Sequence, residues 1–216
     1  MQQDSRVGAC AQVAIWIGAR HMHQRYRYNW LSIADITRMA APTTACQATS
    51  LPAGSEFLTP DHMARAIHEM GFQPLYIDGS SKEIATEIVP YVESGLPVIL
   101  GLRHGNGLGH AVTVIGRVFS ARKSPSNQLA DYVTAFIVHD DEAGPYMLLP
   151  RARDMMNAHS FDPNQLVRHS FSTTTPIDLN VDDNAVFCIV LMPTRVFSTA
   201  RAAERTVVGR LNFRIE

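Results

Sequence analysis

Near the start of the chain, one cysteine sits in a setting that could do chemistry. Cys10 follows the small residues Gly8-Ala9 and leads into Ala11-Gln12-Val13-Ala14-Ile15-Trp16-Ile17, a run of good helix formers. The spacing predicts a thiol in the first turn of an apolar helix. A helix N-terminus carries about half a positive charge, which favours thiolate, the nucleophilic form, over thiol. A free cysteine at a buried helix start can equally be a small hydrophobe, so the thiol alone does not decide. Nucleophilic use requires three further groups. An imidazole must share the proton, another group must hold that imidazole in one tautomer, and donors must meet the developing oxyanion.

The chain offers a candidate for each. His110 opens the β-branched run Ala111-Val112-Thr113-Val114-Ile115-Gly116, just after a glycine-laden turn over 103–109. Asp140 ends the next such run, Tyr132-Val133-Thr134-Ala135-Phe136-Ile137-Val138-His139. If the two are neighbours in an antiparallel sheet, His110 at the start of one lies beside Asp140 at the end of the other. His139 and Asp141 compete for the orienting role, but on an extended strand they point to the face opposite Asp140. Asp140 also suits a cap of the turn before Gly144-Pro145. The Gln3 amide could donate to an oxyanion. Cys46 lies in a loop with no base near it in sequence, and Cys188 is flanked by apolar strand residues, so both read as bystanders. Nine histidines invite a metal reading, yet no HExxH occurs and His21 and His23 face different sides of a helix. No metal or other cofactor is expected.

The positioning elements follow from periodicity and punctuation. Helices are expected over 10–24 and 29–40, with a loop over 42–58. Thr59-Pro60-Asp61 starts a third helix that Gly71 ends. Residues 72–77 read as a strand that Pro74 assigns to an edge or an entry. Ser80 and Ser81 cap a fourth helix running from 82 to 93. Strands follow at 96–102, 110–116, 132–138 and 185–192, with a turn over 143–146 and a mixed, loop-rich stretch over 150–183 holding at most one short helix. Residues 196–205 read as helix and 207–215 as a last strand. Helices first and strands after predict an α+β fold with an antiparallel sheet. A helical lobe (about 1–95) would pack against a sheet lobe (about 96–216) in a single domain of residues 1–216.

Composition narrows the class. With 46% hydrophobic and 18% charged residues the 216-residue chain can bury a full core. A net charge of −1 with no long basic run argues against nucleic acid and anionic membrane partners. Arg25 and Arg27 alternate with Tyr26, Tyr28 and Trp30, a pattern that suits snorkelling at a helix end better than base stacking. Three widely spaced cysteines give neither a disulfide framework nor a CxxC site, and no apolar run is long enough to span a membrane. A reducing, cytoplasmic setting is expected.

Taken in order, Gln3, Gly8-Ala9-Cys10-Ala11, Gly95-Leu96-Pro97-Val98-Ile99, Gly109-His110-Ala111-Val112-Thr113-Val114-Ile115-Gly116 and Val138-His139-Asp140-Asp141 resemble the papain-like cysteine peptidases. Among these they look most like the bacterial bacteriocin-processing type, which cleaves leader peptides after paired glycines. The resemblance implies a papain-like α+β fold and a thiol hydrolase acting on a peptide or protein. It makes Cys10 the nucleophile, His110 the base and then acid, Asp140 the orienting group and Gln3 the oxyanion donor. The chain departs from the family pattern in having Asp141, not proline, after Asp140, and in placing Gln3 one residue further from Cys10. The same fold and triad also serve transglutaminases, deamidases and acyltransferases, and a binding module can keep the fold without turnover.

Overall fold

A computed structural model describes residues 10–41, 58–79, 83–103, 109–120, 126, 128–155, 161–169, 177–196 and 198–212. In chain order the elements are α1 (Cys10–Tyr26), α2 (Ile33–Ala40), α3 (Pro60–Glu69), β1 (Phe72–Asp78), α4 (Ile84–Glu93), β2 (Val98–Arg103), β3 (Gly109–Phe119), β4 (Val133–Asp140), β5 (Gly144–Pro150), α5 (Ala152–Met155), β6 (Arg168–His169), β7 (Ile177–Asp178), α6 (Val181–Asn184), β8 (Ala185–Pro193) and α7 (Ala200–Asn212). Six strands form one antiparallel sheet in the order β1-β8-β2-β3-β4-β5, and β6 pairs with β7 separately. The class is α+β.

Alternation along the strands splits the core in two. Ile99, Ala111, Ile189 and Leu191 face α1, α2 and α3. Val98, Leu100, Val112, Val114, Phe136, Val138, Cys188 and Val190 face the other way, toward α4. With both faces covered, β2 is buried from Val98 to Leu102, which is why it reads as an unbroken apolar run. β1 and α4 precede residue 95 yet both pack on the sheet, so that boundary separates most helices from most strands rather than two packing units. Cys188 is fully buried, and burial, then the Glu87 charge, push its thiol up to about 12. It is a core residue.

Local rules explain most boundaries. Ser32 and Asp35 form a capping box, so α2 starts at Ile33 rather than near 29. Thr59 and His62 do the same for α3, with Pro60 in its first turn, and Gly71 follows at φ 88°. Pro74 lies on β1, an edge strand as expected. The residue before α4 is Glu83, without a side-chain cap bond, and the expected caps Ser80 and Ser81 lie outside the described residues.

Three expectations are overturned. The stretch over 150–183, expected to hold at most one short helix, carries α5, the start of α6 and the paired strands β6 and β7. The turn placed over 143–146 lies earlier, at 141–143, and Gly144 already pairs with Asp140 as β5 begins. The last strand, expected over 207–215, is instead part of α7 as far as Asn212. The helix formers Ala200-Arg201-Ala202-Ala203-Glu204-Arg205 carry the helix through the β-branched Thr206-Val207-Val208, and Thr206 Oγ1 bonds back to the Ala202 carbonyl (2.9 Å). Among the described residues no strand pairs with this segment, so the β-preference of Val207 and Val208 has nothing to act on, and both stay exposed.

Gly79, at the end of β1, donates its N–H to the Val186 carbonyl (2.9 Å). A Cβ there would lie 2.4 Å from the Val186 carbonyl carbon and 2.7 Å from the Ala185 oxygen. Backbone cannot rotate away as a side chain can, so β1 would have to part from β8. Gly79→Ala is expected to destabilise by about 2–3 kcal/mol, within the range for overpacking. A urea titration measures this, and a loss under about 0.5 kcal/mol would contradict the close approach.

Candidate active site

α1 lies against the sheet with Cys10 as its first residue and Ile15 and Met22 fully buried beneath it. At Gly18 a Cβ would come within 3.1 Å of a Leu191 methyl, so the small residue lets the helix approach β8 closely. A buried hydrogen bond from Thr113 Oγ1 to the Ala14 carbonyl (2.8 Å) ties α1 to β3. The bond joins a point four residues beyond Cys10 to a point three residues beyond His110. It therefore fixes how the thiol helix meets the strand that carries the imidazole.

β3 and β4 are antiparallel neighbours, with Thr113 opposite His139. The register of β4 is irregular between Val138 and Asp140, where the strand ends beside His110 at the start of β3. His110 Nε2 and Asp140 Oδ2 are 3.0 Å apart, with the side chains 5% and 0% exposed. The other carboxylate oxygen, Oδ1, accepts from the N–H groups of Glu142 (2.8 Å) and Ala143 (2.9 Å). Asp140 thus caps the hairpin turn and faces the imidazole at once, so the two roles its sequence position suits are filled by its two oxygens. Asp141 corrects the strand-parity expectation. Its Oδ1 lies 3.7 Å from His110 Nε2, because Asp141 is already in the turn, where alternation no longer applies. His139 does point elsewhere, and its Nδ1 accepts from the Tyr146 N–H (3.4 Å).

Cys10 completes the group, close enough to the His110 ring for its sulfur to favour the protonated imidazole. With Nε2 bonded to Asp140, a sulfur that shares the ring's proton would use Nδ1. Burial favours the neutral ring, but the hydrogen bonds and charges of Asp140 and Cys10 outweigh it and raise His110 to about 10. At neutral pH the ring holds a proton between a carboxylate and a sulfur, an arrangement suited to giving that proton to a leaving group. The structure thus brings Cys10, His110 and Asp140 together. Gln3 and Cys46 lie outside the described residues.

His110, Asp140 and Asp141 also offer donor atoms within 4.8 Å of one another, a set a divalent cation could use. Coordination needs the neutral imidazole, so a cation would have to displace the proton that Asp140 and Cys10 stabilise. Thr113 and the turn amides of Glu142 and Ala143 are positioning groups that the spacing of chemical residues did not mark. An Asp followed by a short polar stretch and a glycine, as in Asp140-Asp141-Glu142-Ala143-Gly144, is the signal that could have found the latter.

The raised imidazole has a consequence for stability. A histidine at about 10 when folded and near 6.5 when unfolded binds its proton more tightly in the native state. That stabilisation is complete below about pH 6.5 and is lost as pH rises toward 10. Urea titrations across this window should show wild-type stability falling by up to about 1.4 kcal/mol per pH unit, the value of one proton. A His110→Gln variant should lack that component. Parallel pH profiles for the two proteins would contradict the imidazolium assignment.

A scan against protein-family models finds no match to the chain, and a search of curated proteins finds none either.

Proposed function

We propose that the protein is a papain-like thiol hydrolase that cleaves a peptide or isopeptide bond through an acyl-enzyme. The observation that carries this reading is the His110 ring held between the Cys10 sulfur and Asp140, whose Oδ2 lies 3.0 Å from Nε2. Cys10 Sγ attacks the scissile carbonyl carbon, and His110 holds the proton that came from the thiol. The tetrahedral intermediate collapses as His110 passes that proton to the leaving amine, giving a thioester on Cys10. Water then gives a proton to His110 and attacks the thioester. The acid leaves, and the proton returns to sulfur. Asp140 keeps the ring in one tautomer and stabilises its cation. The first N–H groups of α1 have no carbonyl partner within the helix and supply oxyanion donors beside the sulfur. Gln3 is the side-chain donor that the family resemblance adds. The free thiols of Cys10 and Cys188 suit a reducing, cytoplasmic setting, and among the described residues no helix is long and apolar enough to cross a membrane.

The test is alkylation of the intact protein with one equivalent of iodoacetamide at pH 7, followed by mass spectrometry. A free cysteine is only a few per cent thiolate at that pH. Labelling confined to Cys10, at least about tenfold faster than in the urea-unfolded chain, is the expected result. A rate equal to that of the unfolded chain would sink the proposal. Products separate hydrolysis from acyl transfer: free acid forms with water as acceptor, and an amide forms if an added primary amine intercepts the thioester.

A further inference from the structure

Along α1, residues Cys10, Val13, Ile17, Arg20 and Gln24 fall at i, i+3, i+7, i+10 and i+14, a single stripe on one face. From Val13 onward this stripe, with Trp16, forms one wall of a cleft of about 550 Å³. The other wall is the β4–β5 hairpin, including Asp140, His139 and Tyr146. The cleft therefore begins one helical turn beyond the thiol and shares Asp140 with the candidate site.

Its imidazoles and carboxylates are engaged, and its guanidinium is not. His21 Nε2 is held by the Gly95 carbonyl (2.9 Å), and His139 Nδ1 accepts from the Tyr146 amide. Asp140 and Asp141 face His110. Arg20 makes no hydrogen bond or ion pair among the described residues. On the rim, Tyr146 is 69% exposed and adopts a left-handed backbone conformation (φ 58°), which costs a non-glycine residue about 1 kcal/mol. Its ring meets the edge of His139 at 4.7 Å. An exposed aromatic held in a strained conformation adds little to core packing. It does give the cleft an apolar wall facing Trp16.

We propose that this cleft is a substrate subsite for an acidic residue, with Arg20 as the group that selects it. An uncommitted guanidinium offers a donor fork matched to a carboxylate, and the flanking rings suit the methylenes of a glutamate. A lysine or arginine in the same place would meet like charge. Ten residues of helix set Arg20 about 15 Å along the axis from Cys10. An extended peptide covers that distance in about four or five residues, so the acidic residue stands about that far from the scissile bond. The inference rests on the hydrolase reading for its substrate class, and the experiment keeps the two apart.

Fluorogenic decapeptide pools with one position fixed as Glu, Gln or Lys are assayed for cleavage by wild type, Arg20→Gln and Arg20→Glu. The same pools, dye-labelled, are titrated against Cys10→Ser protein with and without Arg20→Gln, which reads binding without turnover. Expected is about a tenfold higher kcat/KM for Glu over Gln at one position four or five residues from the cut. Arg20→Gln should erase this preference, and Arg20→Glu should turn it toward Lys. Cleavage with Glu and Gln equivalent at every position overturns the subsite and leaves the hydrolase standing. Arg20-dependent binding of Glu pools without any cleavage supports the subsite and overturns the hydrolase. No preference in binding and no cleavage overturns both.

Discussion

Replacing His110 by glutamine should lower peptide turnover by about 10⁴-fold, or roughly 5.5 kcal/mol in the barrier. In the proposed mechanism the ring both takes the thiol proton and delivers it to a leaving amine. Glutamine can still donate a hydrogen bond to Asp140, so the buried carboxylate keeps a partner. That choice matters, because alanine would take the imidazole away from Asp140 Oδ2 and Asp141, and breaking a buried charge pair typically costs about 3–5 kcal/mol. A stability loss of that size could masquerade as lost catalysis. The check is paired: kcat/KM with the best fluorogenic pool, and a melting curve. A folded His110→Gln protein that retains activity within tenfold of wild type would remove His110 from the mechanism. Cys10→Ala, which deletes the sulfur, should show no acyl-enzyme at all.

Asp140→Asn is expected to cost about 10³–10⁴-fold, for a different reason. The Glu142 and Ala143 amides both point at Oδ1, so an asparagine must turn its carbonyl oxygen toward them. Its NH₂ then faces His110 Nε2 and cannot accept a hydrogen bond there. Nε2 must become the acceptor, which sends the ring proton to Nδ1, the nitrogen that should receive the thiol proton. Geometry survives while the tautomer is reversed. Asp141, 3.7 Å from Nε2, is the one nearby carboxylate that could restore the original tautomer, so Asp140→Asn/Asp141→Asn should be slower still. The measurement is kcat for both variants with iodoacetamide labelling alongside. Full kcat in Asp140→Asn would mean that the carboxylate does not orient the ring.

Much of this site was legible because its members sit at punctuated places. Cys10 begins a run of helix formers, His110 follows a glycine-rich turn, and Asp140 ends a β-branched run. α3 was equally plain, since Thr59, Pro60 and Gly71 each mark a boundary by a known local mechanism. The failures share a cause: each depended on what a segment packs against. Gly144-Pro145 carries a turn signal, yet β4 offers it a pairing edge and it becomes the start of β5. Val207 and Val208 carry a strand signal, yet among the described residues no strand pairs with them and they lie in α7. The place of α4 across the sheet from α1 is a tertiary choice that its own periodicity does not encode. Asp141 was set aside by a rule for extended chain that ends one residue earlier.

The position of β8 in the sheet bears on how the molecule is made. β8 (Ala185–Pro193) lies between β1 and β2, so β1 has no neighbour in the sheet until that strand arrives. On a ribosome the thiol at residue 10 emerges first, its imidazole a hundred residues later and its carboxylate thirty after that. Contacts so distant in sequence are slow to close and do not form piecemeal. The sulfur therefore waits as an ordinary side chain for its imidazole and carboxylate, and α1 gains its full seat on the sheet, with Leu191 against Gly18, only when β8 has been synthesised.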